Sequence, residues 1–478
     1  MGGNLQAPGV GAVSSRIDWE KPYDYELDGQ VFPWGRPHFH PFPTVGEIVA
    51  AAFCPRAAFH LLLNDRDPFI RFGTFSAEVG EGYHKCIRVL KYMVSAGSSF
   101  TRDMLQQVAV KVGGANAKYI LEYLRKWEKQ GCIYNVQKGD RLLFEVTVSS
   151  KISFGGGTCF VRGKIDEIDL SNREIVERTI KPLDVAKAQL KDFQLWLLWM
   201  ILCSISPSQR PDGLKKENFK SYKLFLETPE KKVRVTPKRQ YENDLADALK
   251  WIRWIVGKNS IWRNVVQASK LRCSPGNKKP GCELPNVCFQ RKLKHPQSRR
   301  EMILYLAGQW KAQVWEQMWR HDLQEYKLVL RDYASLQRQG VVLKAKVVSL
   351  SKGQVKLEFA SPADALSVLG EGKREEALEL IFGTPQLGIR VPVKAEGLEG
   401  NLLTLEMDEV PYEAPKPFLM QYSSVAVYCR APIFLIRRTQ RDTFAFTRRG
   451  AKSDKDAEKK GTIQLVEAIF GARRIKEG

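Results

Sequence analysis

RLLFEVTVSSKISFGGGTCFVRGKIDEIDLSNREIVERTIK, residues 141–181, contains three runs rich in β-branched and aromatic residues, separated by a glycine-rich turn and a polar one. Such runs bounded by turn residues read as strands. LLFEVTVSSKISF, CFVRGKIDEIDL and REIVERTIKP are therefore predicted as three β segments. The next run, KDFQLWLLWMILCS, is apolar nearly all round and predicts a buried helix. A strand-like SYKLFLE and a helix around Tyr241–Val256 follow it. Upstream, TVGEIVAAAFCPRAAFHLLL opens with Thr44 and carries Glu47 three residues later, the pattern of a capped helix start. SAEVGEGYHKCIRVLKYMV is a second helical stretch, and residues 102–131 form a third that ends at Gly131. Helix, three strands and helix in that order predict an α/β core built on a mixed sheet.

Outside this core the pattern changes. Residues 1–44, rich in Gly, Pro and aromatics, read as an extended N-terminal arm, and the core domain spans 45–295. A long amphipathic pattern over 298–338 carries Trp310, Trp315, Trp319, Tyr326 and Tyr333 at helical spacing, so 296–338 is a predicted helical stalk whose aromatics serve packing. Strands from VVLKAKVVSLSKGQVKLEFA to NLLTLEMDEV, with a helical insert near 361–382, predict a small β-barrel over 339–415. A basic C-terminal segment occupies 416–478.

With 478 residues and 44% apolar content, the chain can bury two or three cores. Lys and Arg number 75 against 53 acids, a net charge of +22, which favours a polyanionic partner. The opening MGGNLQAPGVGAVSS lacks a cationic segment followed by an apolar one, so a secretory signal is not expected. Leu195–Cys203, the longest apolar run, is far shorter than the ~20 residues of a membrane span. The expectation is a cytoplasmic (nucleoid) or nuclear protein without a membrane partner, its nine cysteines reduced. Cys86, Cys132, Cys159, Cys203 and Cys429 sit among apolar neighbours and read as buried small hydrophobes. Cys54 and the trio Cys273, Cys282 and Cys288, spaced C-x8-C-x5-C, remain. Four thiolates suit an iron–sulfur cluster or a zinc ion, and the C-x2-4-C pairs typical of structural zinc are absent. No G-x-x-x-x-G-K-[ST] loop is present, so a helicase or ATPase motor would be a separate partner.

Gly163-Lys-Ile-Asp166 sets a carboxylate on the second strand, and Glu177 follows eleven residues on. Two acids on neighbouring strands can hold a divalent metal against a phosphate and activate water. His84, in GEGYHK, is a further candidate ligand, Glu145 can face the same site, and Gln194 opens the buried helix. The order Cys54, G-x-x-x-H, G-x-I-D, acidic strand, Gln-led helix and cysteine trio resembles the RecB-type PD-(D/E)xK nucleases with an iron–sulfur cluster, over roughly residues 45–292. That group includes CRISPR-associated exonucleases and the nuclease domain of the replication nuclease-helicase.

The resemblance implies a restriction-endonuclease-like mixed-sheet core and hydrolytic cleavage of single-stranded DNA or DNA ends. It implies His84, Asp166 and Glu177 as ligands of Mg2+ or Mn2+, with the Arg178 carbonyl beside them, Gln194 as the family's glutamine, and Cys54, Cys273, Cys282 and Cys288 around a structural 4Fe-4S cluster. Two features depart from the family. Its Glu-x-Lys reads Glu177-Arg178-Thr179 here, and its first two late cysteines, commonly two residues apart, are separated by eight. Lys181 shares the strand parity of Glu177 and is the expected catalytic lysine, with Lys187 and Lys191 able to reach in from the next segment. The missing lysine leaves a second reading open: a nuclease-derived DNA-binding subunit of a helicase or CRISPR-type complex. Candidate DNA contacts are Arg291, Lys292, Lys294, Arg299 and Arg300, and a second group of Arg437, Arg438, Arg441, Arg448 and Arg449 around Phe444 and Phe446. Phosphate contacts do not separate DNA from RNA.

Overall fold

Pairing of Phe154 with Gly157 fixes the central register. In the computed structural model, β1 (Leu142–Phe154) and β2 (Gly157–Asp169) pair antiparallel from Phe154↔Gly157 to Leu142↔Asp169. The model describes residues 43–53, 75–257 and 324–438, apart from 155–156, 189, 352, 370–376, 408–418, 420 and 423–432. β3 (Glu174–Arg178) adds antiparallel to β2. β4 (Lys223–Glu227) then runs parallel to β3, and β5 (Lys232–Val235) closes this side antiparallel to β4. The short, polar KVRV of β5 carries little strand signal and was legible only from its pairing.

Parallel strands require a crossover. Here it contains α5 (Leu183–Ala188) and α6 (Lys191–Ser204), and α6 packs against all four of β1, β2, β3 and β4. Seven of its apolar side chains are buried, as a helix without a polar face requires. α1 (Val45–Phe53) lies beside it, capped as its sequence implies: Glu47 N–H donates to Thr44 Oγ1 at 3.2 Å and Thr44 N–H to Glu47 Oε2 at 2.7 Å. α1 and α6 both press on β2 at Gly163. A Cβ there would meet Leu198 Cδ2 at 2.5 Å and Val45 Cγ2 at 2.7 Å, so glycine admits the close approach of two helices.

α2 (Phe75–Ser95) carries the GEGYHK sequence. The continuous helix expected over 102–131 is instead α3 (Arg102–Gly113) and α4 (Ala117–Glu128), parted at Gly114, whose φ of 51° is open to glycine and strained for other residues. α7 (Arg239–Gly257) completes the first part and packs on α1.

The later strands form a closed six-stranded antiparallel barrel: β6 (Val342–Ser351), β7 (Gln354–Phe359), β8 (Ala377–Gly383), β9 (Leu387–Glu399), β10 (Leu402–Met407) and β11 (Ile433–Arg438). The order is β10-β7-β6-β11-β8-β9, and β9–β10 pairing closes the ring. Three details differ from the sequence expectation. Among the described residues, the insert near 361–382 is helical over α9 (Pro362–Leu369) and not from 377 onward, because residues 377–382 are recruited into β8 between β9 and β11. Ala, Leu and Glu in ALELIFG favour a helix locally, and tertiary pairing overrides them. The sixth strand, β11, comes from the segment read as a basic tail. The stalk lies outside the described residues up to 323, and its end breaks at Arg331 (φ 64°), between a helical turn at 324–329 and α8 (Tyr333–Arg338).

Barrel and first sheet are continuous. β1 pairs with β9 at Val146↔Ile389, Thr147↔Gly388 and Val148↔Leu387, giving eleven strands in one sheet. Gln421 Nε2 donates to the Phe144 carbonyl at 2.9 Å, and Tyr326 packs edge-on against Phe160 with ring centroids 5.1 Å apart. No described helix is long and apolar enough to cross a membrane.

A buried ionic quartet ties the first sheet to its helices. The Arg178 guanidinium bonds Glu167 and, through Nε, Glu227 Oε2 at 2.5 Å. Lys91 Nζ from α2 donates to Glu167 Oε1 at 2.7 Å, and Trp127 Nε1 from α4 donates to Glu227 Oε1 at 3.2 Å. Two positive and two negative groups balance, which makes their burial tolerable.

Two outcomes follow for stability. Gly163→Val should lower stability by about 1–3 kcal/mol through overpacking, read as a lower thermal midpoint with unchanged far-ultraviolet circular dichroism. Burial alone would push the Glu227 carboxyl up, but Arg178, Lys91 and Lys232 outweigh it and bring it down to about 2. A carboxyl depressed in the folded state stabilises above its unfolded value of ~4.3, and that contribution is lost as pH falls toward 2. The difference in urea midpoint between wild type and Glu227→Gln, which isolates this carboxyl from the other titrating groups, should therefore be constant above pH ~5 and shrink between ~4.3 and 2.

Candidate metal centre

Strand register builds the site. Phe144 pairs with Glu167 and Val146 with Ile165, so Glu145 lies opposite Asp166. Glu167 pairs with Val176, so Asp166 in turn lies opposite Glu177. Three carboxylates thus form one row across β1, β2 and β3, and like charges directly opposite repel. His84 of α2 approaches the row, with Nδ1 3.9 Å from Asp166 Oδ1. That is too long for a hydrogen bond and within the span of two ligands each roughly 2.1 Å from one ion. Donor atoms of His84, Glu145 and Asp166 all lie within 4.8 Å of one another.

The electrostatics follow from crowding. Burial holds the His84 imidazole below its ordinary value, with Asp166 pulling the other way, so the neutral, metal-binding form is favoured near neutrality. Burial opposes ionisation of Glu145, but Lys164, in a salt bridge with it, brings its carboxyl below the usual value. Asp166 Oδ2 accepts the Arg178 backbone N–H at 2.6 Å. Glu177 is almost wholly buried. Burial and then Asp166 push its carboxyl up to about 8, against the pull of Lys191.

The start of α6 holds Glu177. Leu190, in the left-handed region at φ 59°, turns the chain into the helix, so that Lys191 and Gln194 both face the acid. Gln194 Nε2 donates to Glu177 Oε1 at 2.6 Å, and Lys191 Nζ reaches the same oxygen at 3.3 Å and Gln194 Oε1 at 2.9 Å. Glu177 Oε2 is buried with no hydrogen-bond partner among the described residues. Glu145, at φ 55°, is the other left-handed residue here, so two of the four non-glycine residues with positive φ among the described residues flank this site. Such conformations cost on the order of 1–3 kcal/mol and persist where the surroundings enforce them.

An orphaned buried oxygen, a row of repelling carboxylates and a neutral imidazole together suit a hard divalent cation.

Of the residues expected from sequence, His84, Asp166, Glu177 and Gln194 come together. Glu177 stands outside the 4.8 Å group, with Oε1 committed to Gln194 and Lys191. Lys181 follows the end of β3 at Arg178, in a bend, so the strand parity that aligned it with Glu177 does not extend to it. Lys191 is the lysine whose ammonium bonds Glu177. Glu145 is the stronger third member of the cluster, and counting back from the glycine turn would have placed it opposite Asp166. Arg437 and Arg438 lie on β11, opposite Leu378 and Ala377. Cys54, Cys273, Cys282, Cys288, Arg291, Lys292, Lys294 and Arg441 lie outside the described residues.

No family model matches the chain, and no curated protein does. Among solved structures, the crystal structure of SSO0001 is similar to it, with 13% identity and a TM-score of 0.18 over 36% of this chain and 73% of that one.

Proposed function

We propose that this chain is a divalent-metal-dependent nuclease that hydrolyses phosphodiester bonds in DNA, acting on single strands or ends. One observation carries the reading: His84, Glu145 and Asp166 converge within 4.8 Å beside a buried Glu177 that is held by a lysine and a glutamine. When bound, a divalent ion would supply Lewis-acid polarisation of the phosphate and a more acidic water near neutral pH. His84, Glu145 and Asp166 would hold it, with Glu177 as the adjoining carboxylate. Lys191 offsets negative charge that builds on the phosphoryl oxygens, the part the family gives to its Glu-x-Lys lysine. Gln194 fixes the Glu177 carboxylate. The +22 charge supports a nucleic-acid substrate.

A structural 4Fe-4S cluster on Cys54, Cys273, Cys282 and Cys288, DNA contacts from the two arginine-rich groups, a motor supplied by a separate helicase, and a place in the nucleoid or nucleus belong to the same proposal on sequence grounds. Thr179 in place of the family lysine favours a second reading, a DNA-binding subunit with little cleavage of its own.

The test is cleavage of end-labelled single-stranded DNA, with RNA of the same sequence alongside, by anaerobically purified protein with Mn2+, while visible absorption is recorded. Cleavage by the wild type that Asp166→Ala loses, with DNA affinity kept, is expected. An equally active Asp166→Ala would remove the site, and tight binding without cleavage would select the second reading. Lys191→Ala should lower kcat by ~10²–10³-fold, comparable to removing one preorganised charge-stabilising group. Lys181→Ala should cost less, and the reverse ranking would return the catalytic role to Lys181.

A further inference from the structure

Each acid of the row has a chain neighbour in one buried assembly. Asp166 is followed by Glu167, Glu177 by Arg178, and Glu145 is preceded by Phe144. Arg178 bonds Glu167, stacks its guanidinium 5.8 Å from the Phe144 ring centroid, and donates its backbone N–H to Asp166 Oδ2 at 2.6 Å. Glu167 also receives Lys91, which lies on α2, two turns beyond His84. Arg178 is further anchored by Glu227 on β4, which Trp127 of α4 bonds in turn. The side chains of Arg178 and Glu167 are each 1% exposed, Glu227 is 0% exposed and Lys91 5%.

We infer that Arg178 and the Lys91–Glu167 pair are positioning residues of the metal centre: the quartet sets the distance between the helix carrying His84 and the three strands carrying the acids. The inference rests on the metal reading above and adds a device to it. His84 and the acids arise from elements far apart in the chain, and nothing in their own backbones sets the separation of helix and strand. The quartet does so directly, because Lys91 joins α2 to β2 and Arg178 joins β2, β3 and β4. Charged forks are direction-dependent and resist sliding in a way that apolar packing does not. None of these side chains needs to touch the ion. They act as outer partners act around metal sites, whose loss typically weakens binding by about 10–100-fold.

The experiment is Mn2+ titration followed by electron paramagnetic resonance on the full chain, at a temperature where near-ultraviolet circular dichroism shows each variant folded. Arg178→Lys keeps the charge and loses the fork. Lys91→Met with Glu167→Gln removes two opposite charges together and leaves the Arg178–Glu227 pair balanced, so neither variant strands a buried ion. Both should weaken Mn2+ binding by about 10–100-fold, and Trp127→Phe, which loses one hydrogen bond, by less. Folded variants that bind Mn2+ as the wild type does, with only their thermal midpoints lowered, would overturn the inference by showing a purely structural role. A wild type that binds no Mn2+, while Asp166→Ala matches it in every respect, would instead sink the metal reading and this inference with it.

Discussion

Repulsion among Glu145, Asp166 and Glu177 is the constraint around which this fold is organised. Register leaves the three no freedom to separate, because the pairings of β1 with β2 and of β2 with β3 set the row. The surroundings answer the repulsion in several ways. Lys164 engages Glu145 from the solvent side, the Arg178 amide bonds Asp166, and Lys191 and Gln194 hold Glu177. Together they leave one oxygen of Glu177 without a partner. Burial and the neighbouring Asp166 are what push this carboxyl up to about 8. The left-handed backbone at Glu145 and Leu190 shows that local conformational preference was overridden to achieve this arrangement.

How much of this was readable follows from the range of the forces involved. Local signals were sufficient for Thr44 and Glu47, whose reciprocal bonds span three residues, and for the apolar run of α6, which has no face to offer water. Gly163 was visible as the opening of G-x-I-D, and the structure shows what crowds it: Leu198 and Val45. Signals failed where a partner far along the chain decides the outcome. ALELIFG is a strand because β9 and β11 flank it, and KVRV is one because β4 offers an edge. Lys191 was harder to rank than Lys181 for the same reason. Strand parity is a local rule, and the end of β3 at Arg178 cancels it, whereas the reach of Lys191 depends on the turn at Leu190.

The joint between β1 and β9 changes what the second half of the chain is. Three residue pairs, with Ser149 N–H donating to the Gln386 carbonyl at 2.9 Å, carry the sheet directly into the barrel. β1 therefore carries Glu145 in the row and also the pairing that receives β9. A displacement of the barrel along this joint acts on the strand that bears an acid, since Gln421 bonds the carbonyl of Phe144, one residue away.

β11 gives the molecule an order of assembly. It lies between β6 and β8 in the barrel yet comes last of the described strands, after β10 has already paired with β7 and β9. A chain emerging from the ribosome can form every other pairing of the barrel while β6 and β8 still present two unpaired edges facing one gap. Exposed edges of this kind pair readily with other chains. Until β11 is in place those two edges stay open, and they are covered only when Leu435 and Ile436 are buried between their neighbours.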